Sequence, residues 1–172
     1  MSLLAVTVIG HDRPGIIAEV TGVLARVGTN LEDSSMTRLR GHFAMTLLCA
    51  GERSAAEVEQ ALAPVTADGT LLVTVRSVPV EEAPGAGGSP YVLSLHGGDR
   101  PGIVSAVTRV LADAGANVTD LTTRLSGELY VLVAEVDVPP GVDVEVLDAR
   151  LADVAGRLGV DVAFRPLDAD VL

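Results

Sequence analysis

Residues 12–33 read DRPGIIAEVTGVLARVGTNLED, and residues 99–120 read DRPGIVSAVTRVLADAGANVTD. At a constant offset of 87 positions, 13 of these 22 residues are identical. Self-similarity at one fixed period is the sequence signature of a repeated structural unit. The 172-residue chain is therefore predicted to fold as two copies of one small unit.

A Gly- and Pro-rich stretch separates the two copies. Residues 80–90 read VEEAPGAGGSP and have no hydrophobic periodicity, which is typical of a linker. We therefore place the first domain at residues 1–79, the linker at 80–90 and the second domain at 91–172.

The agreement between the copies continues into the next strand with a slip of one residue. The tripeptide Thr-Arg-Leu occurs at residues 37–39 and again at 123–125, which is one position short of the constant offset. This alignment makes Arg38 and Arg124 equivalent, and we interpret both as charges that protect an edge strand.

Apolar spacing predicts the same order of elements in both units. Short apolar runs that end in glycine indicate strands. The apolar residues that follow each run have the spacing of an amphipathic helix. Gly28 and Gly115 are placed to end these helices. Residues 54–57, SAAE, are a capping-box sequence, and Asp143 is the predicted N-cap of the corresponding helix. The predicted strands lie at residues 3–9, 30–40, 43–50 and 71–78 and at residues 91–96, 117–126, 129–138 and 160–166.

The order β-α-β-β-α-β, present twice, predicts the α+β fold class. We expect two ferredoxin-like units in tandem, each with an antiparallel sheet and two helices on one face. In the usual strand order of this fold the second strand lies at the edge of the sheet. Because a unit of about 75 residues is small for an independent core, we expect that edge or the helix face to be covered by the other unit or another chain.

Composition excludes several functional classes. The 23 acidic and 12 basic residues give a net charge of −11, which argues against direct nucleic-acid binding. All 12 basic residues are Arg, so lysine Schiff-base chemistry and a P-loop are excluded. No apolar stretch approaches the ~20 residues that span a bilayer, and the N-terminal run lacks the basic lead-in of a signal peptide. We therefore expect a cytoplasmic protein without membrane association.

Cysteine and histidine usage predicts no metal site and no cofactor. Cys49 is the single cysteine, which excludes an intrachain disulfide, and its apolar surroundings indicate a buried structural residue. His11, His42 and His96 lie far apart in the sequence, and no pair has the i, i+4 spacing of helical metal ligands. We expect His11 and His42 to be exposed to solvent.

The candidate binding site is the turn between the first strand and the first helix, GHDRPG at residues 10–15 and GGDRPG at residues 97–102. We expect Asp12 and Asp99 to cap the helices, and the last glycine of each turn leaves room for another group to approach the backbone. The free amides of the first helical turn then form a small anion site that suits a carboxylate. The alternative is that Asp, Pro and Gly are ordinary helix-start residues.

Asn30 and Asn117 each follow a helix-ending glycine by two residues and begin the second strand. Within one unit this position is at the opposite end of the helix from the turn. Two units packed together would bring the turn of one beside the Asn of the other. The alternative is that Asn simply tolerates the left-handed backbone after a helix.

The tandem DRPGI turn, T-x-x-L-A helix and G-x-N strand start resemble the ACT domain family, and within it the glycine cleavage system transcriptional repressor-like proteins. The resemblance covers nearly the whole chain outside the linker. It implies a non-enzymatic regulatory sensor that binds a small amino acid at the interface between ACT units and signals to a regulatory protein partner, in transcriptional control of amino-acid metabolism. It also implies a homodimer. The ligand contacts that it implies are Asp12, Arg13, Pro14, Gly15, Ile16 and Asn30 in the first copy and Asp99, Arg100, Pro101, Gly102, Ile103 and Asn117 in the second.

Two other functions remain open from the sequence. An acylphosphatase-like hydrolase also holds an anion in the first strand–helix loop, and Arg13 and Arg100 resemble its Arg, although the glycine-rich pattern before that Arg is absent. The other alternative is a purely structural dimerisation module without a ligand. No catalytic residue is assigned.

Overall fold

The computed structural model of the protein describes residues 2–80 and 87–167. The chain divides into two compact units, residues 1–82 and 83–172. Residues 81–86 of the predicted linker at 80–90 lie outside the described residues, and the first strand of the second unit begins at Ser89. Among the described residues, no helix is both long and apolar enough to cross a bilayer.

The first unit has the predicted order of elements. These are β1 (Ser2–His11), α1 (Ile16–Arg26), β2 (Asn30–Leu39), β3 (His42–Gly51), α2 (Ala55–Leu62), a 3-10 turn (Ala63–Thr66) and β4 (Leu71–Val78). The strands form one antiparallel sheet in the order β2-β3-β1-β4, so β2 is at the edge as expected.

The second unit repeats this plan. Its elements are β5 (Ser89–Gly98), α3 (Ile103–Asp113), β6 (Asn117–Ser126), β7 (Leu129–Val138), α4 (Val144–Leu158) and β8 (Val160–Pro166). The sheet order is β6-β7-β5-β8, again with antiparallel pairs throughout. The expectation of two ferredoxin-like βαββαβ units in tandem is confirmed.

Alternation along the strands places the core between the sheet and the helices. In β1, Leu4, Val6 and Val8 are buried, whereas Thr7 and Ile9 are exposed on the face of the sheet away from the helices, here called the outer face. Val20 of α1 and Val58 of α2 complete the buried cluster. Because apolar residues recur every three or four positions along the helices, each helix buries a single stripe against this inner face.

The starts of α2 and α4 have the capping hydrogen bonds that the sequence predicts. Ser54 accepts a hydrogen bond from the Glu57 amide, and Glu57 accepts one from the Ser54 amide, so the predicted capping box forms. Asp143 caps α4 by accepting from the Val146 amide at 3.1 Å. The predictions for both helix starts are confirmed.

The first strand passes very close to the last strand of its unit at a glycine. A Cβ on Gly10 would collide with the carbonyl oxygen of Thr70 and lie 2.9 Å from the Leu71 Cα. At the equivalent position, a Cβ on Gly97 would lie 2.7 Å from Val160 Cγ1. The glycines therefore allow β1 and β5 to pair closely with β4 and β8 just before the turns.

The register of the two hairpins corrects the alignment of Arg38 with Arg124. Both β2 and β6 carry an irregularity near the start and then keep the constant offset of 87 to their ends. Arg38 pairs with Phe43, whose equivalent Tyr130 pairs with Leu125, so Leu125 is the counterpart of Arg38. Arg124 pairs with Val131 and is one position away, on the other face of the sheet. The shared tripeptide Thr-Arg-Leu is therefore coincidental. A true shift of one residue would exchange the two faces of β6 relative to those of β2.

Candidate functional site

The turn of the first unit is held by backbone hydrogen bonds on both sides of β1. The His11 amide donates to the Thr70 carbonyl at 3.0 Å, and the Asp12 amide donates to the Gly41 carbonyl at 3.0 Å. The connection before β4 and the β2–β3 turn therefore fix the end of β1. Residues 12–15 then lead into α1 from a defined position.

The prediction that Asp12 and Asp99 cap the helices is wrong. Gly15 and Gly102 are the N-cap residues, and neither helix start has a side-chain cap hydrogen bond. The aspartates lie three residues upstream, because the turn uses four residues before the first helical position. The Asp12 carboxylate instead pairs with the Arg38 guanidinium at 3.4 Å.

The backbone explains the glycine that ends each turn. Gly15 has φ of 93° and Gly102 has φ of 91°, in the left-handed region that favours glycine. A Cβ on Gly15 would meet only Glu19 Oε1, at 3.7 Å, and a Cβ on Gly102 would meet nothing within 4 Å. The space in front of both residues is open, so the conformation, and not crowding within the unit, requires glycine.

The start of α1 presents unpaired amides to a surface cavity. The first intrahelical bond runs from the Glu19 amide to the Gly15 carbonyl, so the amides of Ile16, Ile17 and Ala18 have no partner within the helix. These amides carry the positive end of the helix dipole. The cavity measures about 470 Å³, and it is lined by Asp12, Arg13, Pro14, Gly15, Ile16, Ile17, Ala18, Met36 and Phe43.

Arg13 is fixed beside this cavity by Glu19. Its guanidinium donates one 2.8 Å hydrogen bond to each carboxylate oxygen of Glu19. The hydrogen bonds lower the pKa of the Glu19 carboxyl and raise the pKa of the Arg13 guanidinium. The pKa of the nearby Asp68 carboxyl is also lowered, chiefly because the Thr70 amide donates to it.

The equivalent turn of the second unit has different surroundings. The Asp99 amide again bonds across to the hairpin turn, to the Glu128 carbonyl at 3.4 Å. At the constant offset of 87, however, the counterpart of Glu19 is Ala106 and that of Arg38 is Leu125. A Cβ on Gly159 would lie 3.5 Å from the Arg100 guanidinium nitrogens, so Arg100 lies against the α4–β8 connection. The two turns share a backbone plan but differ in charge.

Asn30 and Asn117 are the exposed first residues of β2 and β6. Asn30 lines a different cavity, of about 530 Å³, together with Thr21, Gly22 and Ala25 of α1. Ala18 is the residue that borders both cavities. Within the first unit, Asn30 is therefore not brought into the cavity that contains the other five candidate residues.

Three residues near the turn were not identified from the sequence. Met36 and Phe43 form the sheet side of the cavity, and Glu19 holds Arg13. The register of β1 with β3 would have revealed Phe43, which pairs with Gly10 directly before the turn. The repeat could not have identified Glu19, because the equivalent residue of the second unit is Ala106.

The remaining candidates have structural positions. Cys49 is buried, as predicted, and burial raises the pKa of its thiol. The described residues contain no group of three or more His, Cys, Asp or Glu side chains able to hold a metal ion. His11 and His42, although far apart in the sequence, lie directly opposite each other on β1 and β3.

Comparison with known protein families identifies the same domain in both halves of the chain. A family model described as ACT domain matches residues 2–76, and a second ACT domain model matches residues 91–157. Together the two matches cover well over half of the chain.

Individual relatives show how far the similarity extends. A UPF0237 protein of Methanopyrus kandleri is 54% identical over 48 residues, which are 28% of this chain and 53% of that protein. The glycine cleavage system transcriptional repressor of Escherichia coli is 26% identical over 122 residues, which are 70% of this chain and 64% of that protein. The chain thus spans less than two thirds of the length of either relative. A solved structure of an unknown protein from Galdieria sulphuraria superposes with a TM-score of 0.80 at 28% identity, over 97% of this chain and 99% of that one.

Proposed function

The chain belongs to the ACT domain family, with one domain in each unit, and we propose that it is a non-enzymatic sensor of a small amino acid. The amino acid binds at an interface between ACT units, and its presence is signalled to a partner protein. The observation that supports this proposal most is the cavity at the start of α1. It gathers Asp12, Arg13, Pro14, Gly15 and Ile16 around amides that lack a helical partner.

The cavity offers complementary groups for a zwitterion. The first-turn amides of α1 donate to the ligand carboxylate, and the helix dipole favours its negative charge. The Asp12 carboxylate, which lines the cavity, accepts from the ligand ammonium. Ile17 and Met36 leave an apolar surface for a short side chain. All of these groups belong to the first unit, so we assign the primary site to its turn.

A neighbouring ACT unit completes the site. Asn30 of the same unit does not line this cavity, so an Asn with the same role must come from another unit or from a second copy of the chain. A homodimer meets this requirement. Asp99, Arg100, Pro101, Gly102, Ile103 and Asn117 form the corresponding half-sites of the second unit.

The ligand is held weakly enough to report changes in its concentration. A ceiling of about −1.5 kcal/mol per heavy atom limits a five-atom amino acid to roughly −7.5 kcal/mol. This free energy corresponds to a low-micromolar Kd, and desolvation of the two ligand charges weakens it further. Such a range suits a metabolite sensor.

The output of the sensor is a contact with another protein. The similarity to a transcriptional repressor favours a role in the control of amino-acid metabolism. With a net charge of −11, the chain is a poor ligand for nucleic acid, since binding to a phosphate backbone depends on a surplus of cationic groups. Direct binding to nucleic acid is therefore not part of the proposal.

Isothermal titration calorimetry with a panel of amino acids tests this function. Heat with one or a few small amino acids is expected. Ile17→Trp, which fills the cavity, is expected to abolish that heat. Ile9→Trp serves as the control, because Ile9 is similarly exposed (47% against 42%) but lies on the outer face of the sheet. If no amino acid of the panel gave heat, the result would favour the purely structural module and contradict the sensor.

Two further measurements separate the remaining possibilities. Asn30→Ala and Asn117→Ala are tested separately, and one of them is expected to weaken binding. Unchanged binding in both variants would exclude a neighbouring Asn from the site. An assay of acyl-phosphate hydrolysis is expected to show no turnover, because Arg13 already donates to both oxygens of Glu19. Turnover that is lost in Arg13→Ala would establish the hydrolase instead.

A further inference from the structure

His11 and His42 form a cross-strand pair at the end of the first sheet. His11 is the last residue of β1, His42 is the first residue of β3, and the two are direct partners in the antiparallel register. The His11 amide donates to Thr70 on the other side of β1, whereas the Asp12 amide donates to Gly41. His11 and His42 are therefore a non-hydrogen-bonded pair, the type in which the Cα atoms approach to about 4.5 Å and the side chains are closest.

Both imidazoles lie on the outer face of the sheet. His11 has the same strand parity as Thr7 and Ile9, and His42 has that of their partners Thr46 and Ala44. Both histidines are exposed. Strand alternation thus directs both side chains to the same side, within reach of one ion.

We propose that His11 and His42 bind one divalent transition-metal ion of the Ni²⁺, Cu²⁺ or Zn²⁺ class. Imidazole nitrogen is a preferred ligand of these ions, and two imidazoles on adjacent strands act together as a chelate. Since the described residues provide no group of three such ligands, water or an added small ligand completes the coordination. The site is accordingly open and of modest affinity.

This site belongs to the first unit alone. At the constant offset of 87 the equivalents of His11 and His42 are Gly98 and Leu129. His96, the remaining histidine, stands opposite a carboxylate instead, with its Nε2 3.5 Å from Asp161 Oδ2. The second unit therefore supplies a matched control within the same chain. The inference does not depend on amino-acid binding, because it rests on a different face of the sheet.

Titration of the tag-free, full-length protein with Ni²⁺ tests the site. Calorimetry is expected to show one ion per chain. His11→Gln and His42→Gln are each expected to weaken binding by about a hundredfold, because either change removes the chelate. His96→Gln is expected to leave binding unchanged. Equal effects of all three substitutions, or no binding by the unaltered protein, would overturn the proposal.

A spectroscopic measurement keeps the test independent of affinity. In an NMR spectrum of the histidine ring protons, a small fraction of paramagnetic Ni²⁺ is expected to broaden the signals of His11 and His42 together, before that of His96. Broadening of one of the pair without the other would contradict a shared ion. Circular dichroism of each Gln variant verifies that the unit remains folded.

Discussion

Arg13 and Glu19 meet through two parallel hydrogen bonds of 2.8 Å, one to each carboxylate oxygen. This bidentate geometry gives the strongest orientation that a guanidinium and a carboxylate can adopt. Both groups are partly exposed, so the pair contributes little to the free energy of unfolding. Its main effect is to hold Arg13 at the edge of the cavity in front of α1.

The first prediction concerns the titration of Glu19. Its pKa is expected to lie below the ordinary value of 4.5, chiefly because of the hydrogen bonds from Arg13. A carboxyl whose pKa falls on folding contributes stability above its unfolded pKa and loses it as the pH drops through the folded value. The Arg13–Glu19 contribution should therefore disappear only below pH 4.5. Carboxyl NMR titration measures this. Arg13→Ala should move the midpoint upward, and Arg76→Ala, on β4, should not; an unmoved midpoint in Arg13→Ala would disprove the assignment.

The second prediction concerns the glycines before the turns. Gly10→Ala is expected to lower the free energy of unfolding by about 1–3 kcal/mol, since the new Cβ must displace the backbone of β4. Gly97→Ala should have a similar or smaller effect, because its nearest contact is a side-chain atom, Val160 Cγ1, whereas that of Gly10 is the backbone carbonyl oxygen of Thr70. Urea denaturation measures both.

Gly98→Ala is the control for these substitutions. A Cβ at Gly98 meets nothing within 4 Å, so a change within about 0.5 kcal/mol is expected. If Gly10→Ala were as mild as Gly98→Ala, the close approach of β1 and β4 would be in doubt.

The third prediction concerns the capping box of α2. Ser54→Ala removes the hydroxyl that accepts from the Glu57 amide and should destabilise the first unit by about 1 kcal/mol. Asp143→Ala should cost the second unit a comparable amount, because it removes the cap of α4. Ser77→Ala, at an exposed position near the end of β4, should have almost no effect on urea denaturation. Equal stability of all three variants would show that the caps do not contribute.

The fourth prediction concerns Cys49. Burial raises the pKa of its thiol above the ordinary value of 9.0, so the native protein should react with iodoacetamide very slowly at neutral pH. Unfolding in urea should restore a normal rate. Thr46→Cys, exposed on the outer face of the same strand, provides the reactive comparison. Rapid modification of Cys49 in the native protein would contradict its burial.

Much of the fold was predictable because the signals that define it are local. The capping residues Ser54 and Asp143 and the hairpin glycines act on their own neighbours, and the alternation of apolar residues reports directly on one sheet face. The strand bounds at Leu71–Val78 and Val160–Pro166 agree with the prediction for this reason.

The errors arose where a long-range relationship decides the outcome. The role of Asp12 depends on Arg38, which is 26 residues away in the sequence, and on a glycine whose left-handed φ moves the helix start downstream. The partnership of His11 with His42 depends on strand register. The ligand site itself stays a prediction, because the part contributed by a neighbouring unit is a property of assembly and not of one turn.

The constant offset of 87 holds from the first strand through the hairpin and then changes, since Leu71 and Val160, the partners of Gly10 and Gly97, are 89 positions apart. An insertion of a single residue in a hairpin strand would exchange the exposed and buried sides of everything beyond it. Additional residues next to the second helix of a unit do not exchange these sides. The additional residues of the second unit therefore lie between the hairpin and the last strand, where they leave the buried and exposed sides of the paired strands unchanged.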